Sequence, residues 1–311
     1  MNISFIIPTV DRITSLDALL STFVTQTVIP DEIIIVEQGL DSSQQLSGKY
    51  PTLPIRYFHV SFRSLTSARN FGVSKSAGEI VGFLDDDVLL NNNYVKGILS
   101  FFERHKTALG VQGVITNFEE GHREKVGGSV IVYSLYNILA KLFLLNNSSN
   151  KNKLLLSGRN QYASRVAAVD TCEWLSGIGN YRRSVFSEFN FDETLKGYAL
   201  GEDKLFSYPI QKKYPHSLYV DPVIQCEHHS VSKGKPEAER WVHMKITYTY
   251  YLWEKLFATK GVVALAAYWW ANVGDIGMVI LSVILRKNTV LFLWWHVREY
   301  SCLLWKKPTY N

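Results

Sequence analysis

The sequence predicts an α/β protein: a mostly parallel sheet flanked by helices, followed by a C-terminal hydrophobic helical region. Three observations carry that expectation. Over about the first hundred residues, short runs that are apolar on both faces alternate with amphipathic runs, as in consecutive βαβ units. Polar residues collect where the apolar runs stop, at Pro8-Thr9, Glu37-Gln38 and Asp85-Asp86-Asp87, and ligands of a parallel sheet bind outside those carboxyl ends. Residues 261–285 and 289–305 are nearly continuous apolar and aromatic sequence.

Composition agrees. A chain of 311 residues suits one large domain or two smaller ones, and 47% hydrophobic with 20% charged residues is ordinary for a globular protein. The net charge of +5 fits an anionic substrate or an anionic lipid surface, and no nucleic-acid-binding signature is present. Cys172, Cys226 and Cys302 are scattered and form no CxxC pair. They read as buried thiols of a reducing compartment rather than a zinc site or a disulfide framework. The chain enters a strand-like run at Ile3 with no basic n-region and no small-residue cleavage site, so no secretory signal is expected.

Taken in order, strands are expected at Ile3–Ile7, Glu32–Val36, Ile55–His59, Ile80–Leu84, Val111–Thr116 and Leu218–Val223. Helices are expected at Ser15–Thr25, where Leu16, Leu19, Leu20 and Phe23 share a face, at Ser67–Ser76, which Gly78 ends, and at Asn91–His105. Tyr133–Leu145 places Leu135, Ile138, Leu139, Leu142 and Leu145 at helical spacing, a helix that packs on the core or lies on a membrane. Asn146–Lys153 is polar and of low complexity, and reads as a mobile loop. Glu202-Asp203 opens a further helix reaching about Lys213.

Several features carry chemistry. Three adjacent carboxylates at a strand's end repel one another unless a cation sits among them; Asp85-Asp86-Asp87 is therefore a cation site or a solvated acidic turn. Gly177 and Gly179 make a flexible loop beside Trp174, whose ring offers a sugar platform or packs in the core. Glu202 and Asp203 are either chemical groups or simple acids in a first helical turn. His228-His229 reads as a metal-ligand pair or a polar loop.

Six stretches, in order from residue 3 to about 230, resemble family 2 glycosyltransferases of the GT-A, Rossmann-like fold. Phe5-Ile6-Ile7-Pro8-Thr9-Val10-Asp11-Arg12 resembles the opening "IIPTYNR" strand, and Ser67-Ala68-Arg69-Asn70-Phe71-Gly72 the "ARNxG" helix start. Gly78 to Asp87 resembles "GexiaFLDaDD", which holds the Asp-x-Asp motif. Gly177 to Arg183 resembles "GxxxxxRR", and Phe191-Asp192-Glu193 with Gly201-Glu202-Asp203 resembles "FDE…GED".

The resemblance implies an inverting transferase that moves a sugar from a nucleotide-diphosphate donor (a UDP-sugar first, a dTDP-sugar second) to a hydroxyl of a saccharide or lipid-linked saccharide. Mg²⁺ or Mn²⁺ would neutralise the leaving diphosphate. By position in the motifs, Asp85 reaches ribose or metal, Asp87 holds the metal, and Asp86 fills the variable place as a bystander that tolerates change. Pro8, Thr9, Arg12 and Glu37 line the nucleobase-ribose end, and Arg69 lies near the phosphates. Asp203 is the general base, and Glu202 hydrogen-bonds the acceptor. Gly177 and Trp174 lie on the acceptor side, and His228 or His229 completes the metal shell or meets the diphosphate. Asp11 departs from the usual Asn, and Glu37-Gln38-Gly39 from the usual Asp-Asp-Gly, so Glu37 is one methylene longer toward the base.

The expected division is a catalytic domain over 1–230, with a nucleotide half at 1–116 and an acceptor half at 117–230, followed by a membrane-associated helical region over 231–311. Gly261–Leu285 is long enough to span a bilayer. Asp275 near its centre would cost about 2.5–3.5 kcal/mol there. A single crossing would also place Arg286, Lys287, Arg298, Lys306 and Lys307 on the outer side. Helices lying in the cytoplasmic leaflet are expected, with a partner-docking surface or a packed helical cap as the alternatives. That places the protein on the cytoplasmic face of the cell membrane, peripheral or monotopic, in bacterial surface polysaccharide synthesis. Two other functional classes compete. A nucleotidyltransferase needs a glycine-rich phosphate loop after the first strand, which Pro8-Thr9-Val10-Asp11 is not. A catalytically silent nucleotide-sugar-binding scaffold has no need of Asp85, Asp87 and Asp203 together.

Overall fold

The computed structural model of the chain describes residues 1–46, 48–120, 123, 130–229 and 237–305. Strand β1 (Ile3–Thr9) is buried along its whole length, as is β2 (Glu32–Glu37). Their side chains divide with period two: Ile3, Phe5, Ile7, Ile33 and Ile35 enter one core layer, and Ile6, Ile34 and Val36 the other. The first layer is closed by helices α1 (Ile13–Val24) and α4 (Tyr94–Arg104). α1 buries Leu16, Leu19, Leu20 and Phe23, the single face that its spacing predicts. Between them lie α2 (Ser43–Leu46), β3 (Ile55–His59), α3 (Leu65–Lys75), β4 (Ile80–Phe83) and β5 (Val88–Leu90).

Past β6 (Gly110–Ile115), helix α5 (Val130–Leu142) leads to a small sheet of β7 (Asn147–Ser149), β8 (Lys153–Leu154) and β9 (Asn160–Ala163). Then come β10 (Asp170–Thr171), β11 (Asn180–Arg182), α6 (Glu202–Lys213) and β12 (Leu218–His228). Three long helices end the described chain: α7 (Ala238–Phe257), α8 (Val262–Ile284) and α9 (Val290–Trp305).

The main sheet runs β3-β2-β1-β4-β11-β6-β12-β10, with β5 on β12. β1 to β4 are parallel, β11 runs antiparallel between β4 and β6, and β6 and β12 are parallel again. From β1 the chain moves first toward β2 and later returns to β4 on the other side, so a crevice opens at the carboxyl ends of β1 and β4. The register decides what meets there. Ile6 stands opposite Phe83, so three residues further on Thr9 comes level with Asp86.

Several local expectations change. Asn146–Lys153 is not a loose loop. Asn152 is fully buried, its amide donating to Gln112 Oε1 and the Trp174 carbonyl while its oxygen accepts from Ala163 N. A polar tract holds its shape here because its side chains satisfy buried backbone groups. α7 lies within the region expected to be helical over 231–311, though its bounds were not read from the sequence. β12 reaches past Val223 to His228, which turns a loop histidine into a strand-end residue. In α5, Leu135, Ile138 and Leu142 face outward, and the buried positions are Tyr133 and Ala140. The boundary at 230/231, and Lys306 and Lys307, lie outside the described residues.

Candidate active site

The crevice is floored by one buried carboxylate. Asp86 accepts from Thr9 Oγ1 at 2.7 Å and from Arg12 Nη1 at 2.9 Å. It is 3% exposed, and burial pushes its carboxyl up to about 6 against the pull of both partners. The expectation that Asp86 is a bystander is therefore corrected. It ties the end of β1 to the turn after β4, and the flanking acids are the ones left to face the cleft. Arg12 also lies 3.6 Å from Asp87.

Asp85, Asp87 and His228 each offer a ligand atom, all within 4.8 Å of one another. His228 Nε2 stands 2.9 Å from Asp87 Oδ1, because β5 pairs antiparallel with β12 and sets His228 opposite Val88. His229 points elsewhere. Its Nε2 meets Glu227 at 2.8 Å on the surface, and it does not line the cleft. Two carboxylate oxygens and one imidazole suit Mn²⁺, and Mg²⁺ with added water ligands.

Arg69 is buried beneath this group. Its Nη2 donates to Asp85 Oδ1 and to the Gly177 carbonyl, each at 3.2 Å, and its Nη1 donates to Glu202 Oε1 at 2.9 Å. Burial pushes Glu202 upward, outweighing Arg69, with Asp203 and Asp85 adding to the rise. A Cβ on Gly177 would stand 3.1 Å from Arg69 Nη2 and 3.3 Å from Asp85 Oδ2, so glycine keeps this corner open.

Asp203 lines the same cavity. Its Oδ1 accepts from the Lys204 backbone N and from Lys204 Nζ, both at 2.8 Å. α6 is capped by Gly201, whose φ of 93° is a left-handed conformation open to glycine, and this turn aims the carboxylates of Glu202 and Asp203 at the cleft. Trp174 is not a sugar platform. It is 2% exposed, packs in a cluster with Tyr162, Tyr208 and Leu252, and carries Lys204 Nζ over its ring at 4.7 Å.

Glu37 also lies behind the cavity rather than on it. Fully buried, it accepts from Asp11 N at 3.2 Å and Gly39 N at 2.8 Å, clamping together the loops after β1 and β2. Asp11 has φ 54°, and a Cβ on Gly39 would stand 2.2 Å from Asp11 Oδ1. The two departures from the family pattern thus meet in one loop contact. Pro8, Thr9 and Arg12 do line the cavity, whose volume is about 1100 Å³.

Two walls were missed from the sequence. The loop Lys196–Gly201 has left-handed backbone at Gly197, Ala199 and Gly201, and is stitched to the start of α3 by Leu65 N donating to the Gly197 carbonyl at 3.0 Å. The second wall is Glu237 with α7, through Arg240, His243, Met244, Thr247 and Tyr248, and it packs against the first where Tyr248 bonds Lys196 and Met244 meets Ala199. The three-and-four spacing of those residues is a helical-face signal that the sequence does contain.

A parallel sheet with its crevice between β1 and β4, an acidic triplet at that crevice and an antiparallel strand beyond it define a GT-A fold. The chain matches Glycosyl transferase family 2 over residues 4–167, and it belongs to that family, a family of glycosyltransferases. It is 31% identical over 137 residues to the glycosyltransferase YwdF of Bacillus subtilis (strain 168), covering 43% of this chain and 51% of that protein. It is 29% identical over 93 residues to the minor teichoic acid biosynthesis protein GgaB of the same organism, covering 29% of this chain and 10% of GgaB. The chain thus spans about half the length of YwdF and a small part of GgaB. In fold it is similar to S. aureus TarS 1-349 in complex with UDP-GlcNAc, with TM-score 0.52, 16% identity, and 81% and 66% of the two chains covered. It is also similar to the mannosyltransferase PcManGT of Pyrobaculum calidifontis in complex with GDP-Man and Mn²⁺, with TM-score 0.56, 12% identity, and 99% and 88% covered.

Proposed function

We propose that the protein transfers a sugar, with inversion, from a nucleotide-diphosphate donor to a hydroxyl of a saccharide or lipid-linked saccharide. A UDP-sugar is the first candidate and a dTDP-sugar the second, and the setting is surface polysaccharide assembly at the cytoplasmic face of the cell membrane. The observation that carries the reading is the convergence of Asp85, Asp87 and His228 on the cavity that Asp203 also lines. One end of that cavity suits a diphosphate with its cation, and the other supplies a base. TarS has been solved with UDP and with UDP-GlcNAc, PcManGT with GDP-Man and Mn²⁺, and GgaB is named for teichoic acid biosynthesis. Those names support a nucleotide-sugar donor and a cell-wall setting for this chain.

Asp85, Asp87 and His228 would hold Mg²⁺ or Mn²⁺, which when bound neutralises charge on the departing diphosphate. Arg12, braced by Asp86, adds a fixed positive charge at the β1 side. Asp203 takes the proton of the acceptor hydroxyl as that oxygen bonds to the anomeric carbon, and the bond from that carbon to the diphosphate oxygen breaks. Lys204 holds Asp203 Oδ1, leaving Oδ2 for the acceptor. Glu202, fixed by Arg69, orients the acceptor edge of the site.

The test is release of nucleoside diphosphate from a panel of sugar nucleotides with saccharide and lipid-linked acceptors, with and without EDTA. Acceptor-dependent, EDTA-sensitive release is expected. Release of pyrophosphate would instead make the protein a nucleotidyltransferase, and tight donor binding with no turnover would make it a scaffold.

A further inference from the structure

The C-terminal helices carry their polarity inside out. In α8, Asn272 and Asp275 turn inward; in α9, His296, Glu299 and Tyr300 do so. Asn272, Asp275 and Tyr300 join one buried network with Arg159 and Lys245, while Glu299 pairs with His243 and Arg298. Lys245 Nζ donates to both Asp275 oxygens at 2.8 Å, and Tyr300 OH donates to Asp275 Oδ2 at 2.7 Å. Arg159 Nη2 donates to Asn272 Oδ1 at 3.1 Å and to Tyr300 OH at 3.2 Å. These buried contacts hold the middle of α8 against α7 and the catalytic body.

The outward faces are apolar. On α8, positions 266, 270, 273, 277, 280 and 284 are all exposed and step by four and three residues along one face, with Trp270, Val273, Ile280 and Ile284 among them. On α9 the same steps expose Val290, Trp294, Val297 and Leu304. On α5 they expose Ile131, Leu135, Ile138 and Leu142. The helices adjoin. Trp270 Nε1 donates to the Leu142 carbonyl at 2.9 Å and its ring lies 4.9 Å from that of Phe143, while Ile276 of α8 packs into one cluster with Phe292 and Trp295 of α9. Soluble surfaces seldom gather so much apolar side chain in one place.

Charge names what covers this face. Exposed basic residues stand at the helix ends: Lys141 in the last turn of α5, Lys260 just before α8, and Arg286 and Lys287 just after it. A helix basic at both ends, with Trp270 on its apolar face, suits a position in the plane of an anionic membrane surface. A crossing would separate the two basic ends across the bilayer, and would place the anchored Lys245–Asp275 pair at bilayer depth.

We propose that the apolar stripes of α5, α8 and α9 together dock the protein in the plane of an anionic phospholipid bilayer without crossing it. The inference is independent of sugar transfer, and its test reads binding alone. The full-length chain is co-sedimented with vesicles of phosphatidylcholine and of phosphatidylcholine with phosphatidylglycerol. Binding is expected to the mixed vesicles, with a weaker, salt-insensitive interaction with the neutral ones. Leu135→Glu with Ile138→Glu, and separately Trp294→Glu with Val297→Glu, each lower binding at least tenfold and leave the thermal melt unchanged. Trypsin added outside the vesicles still cuts after Arg286 or Lys287. The proposal is overturned by absence of vesicle binding, by variants that bind like the parent chain, or by protection of that tryptic site. It is equally overturned by a vesicle-free dimer that the same substitutions dissociate, which would make a second copy the occupant.

Discussion

Arg69 Nη1 donates to Glu202 Oε1 at 2.9 Å, joining residues 133 positions apart in the chain, both of them buried. The same guanidinium reaches Asp85 at 3.2 Å. One cation thus spaces the acid at the end of β4 from the acids at the start of α6, and sets the distance between the two ends of the cleft.

Removing it leaves Glu202 buried without its counter-charge and close to Asp85 and Asp203. Arg69→Met is expected to lower unfolding stability by about 3–5 kcal/mol, the usual cost of breaking a buried pair from one side. Arg69→Met with Glu202→Leu should recover part of that loss while activity stays absent. Urea unfolding of the two variants measures both quantities, and equal stability of the single and double variants would show that the pair is not coupled.

The two adjacent histidines should separate cleanly. His228→Ala is expected to weaken Mn²⁺ binding in the presence of UDP by about tenfold or more, ~1.4 kcal/mol. His229→Ala, whose imidazole pairs with Glu227 on the surface, should leave it unchanged. Calorimetric titration of Mn²⁺ into each variant decides the matter. Equal losses in both would mean that the strand end at His228 does not define the site.

Much of this architecture was legible in the sequence. The continuous apolar run of Ile3 to Ile7 marks a strand buried on both faces, and the three-and-four spacing of Leu16 to Phe23 specifies one partner face, so those elements follow from local pattern. The cleft floor was partly hidden. Thr9 and Asp86 meet through strand register, which no local pattern reveals, so Asp86 read as a spare charge when it is the brace. Trp174 was misjudged because an aromatic beside glycines looks the same in sequence whether its ring faces a cleft or a core. β5 and β11, three residues each, are too short for any period to show, although β5 is what pairs with the strand that carries His228. The α7 wall was missed for a different reason: its cleft face, Arg240, His243, Met244, Thr247 and Tyr248, mixes charged, apolar and aromatic side chains, which blurs the contrast that marks an amphipathic helix.

Asp203 carries the chemical step in the proposed reaction, and its replacement should separate binding from turnover. Asp203→Asn keeps the shape of the side chain and its contact with the Lys204 backbone, but loses the ability to take a proton. The turnover number is expected to fall by about 10²–10⁴, the usual contribution of a general base, while UDP affinity measured by calorimetry stays within about twofold. A residual rate near that of the parent enzyme would assign the base elsewhere.

Asp86 predicts a pH dependence whose sign follows from its burial. Its folded-state pKa of about 6 lies above the ordinary value of 3.8, so the folded protein holds that proton more tightly than the unfolded chain. The stabilisation is fully present below pH 3.8 and is lost as pH rises through about 6. The gap between the two values corresponds to at most about 3 kcal/mol. In EDTA, so that no cation occupies the neighbouring acids, Asp86→Asn should flatten the fall in unfolding free energy between pH 4 and 7 by that amount. The amide can still accept from Thr9 or Arg12, so the brace is weakened rather than removed. Urea titrations at a series of pH values measure the slope, and a slope identical to that of the parent chain would mean that Arg12 keeps Asp86 ionised throughout.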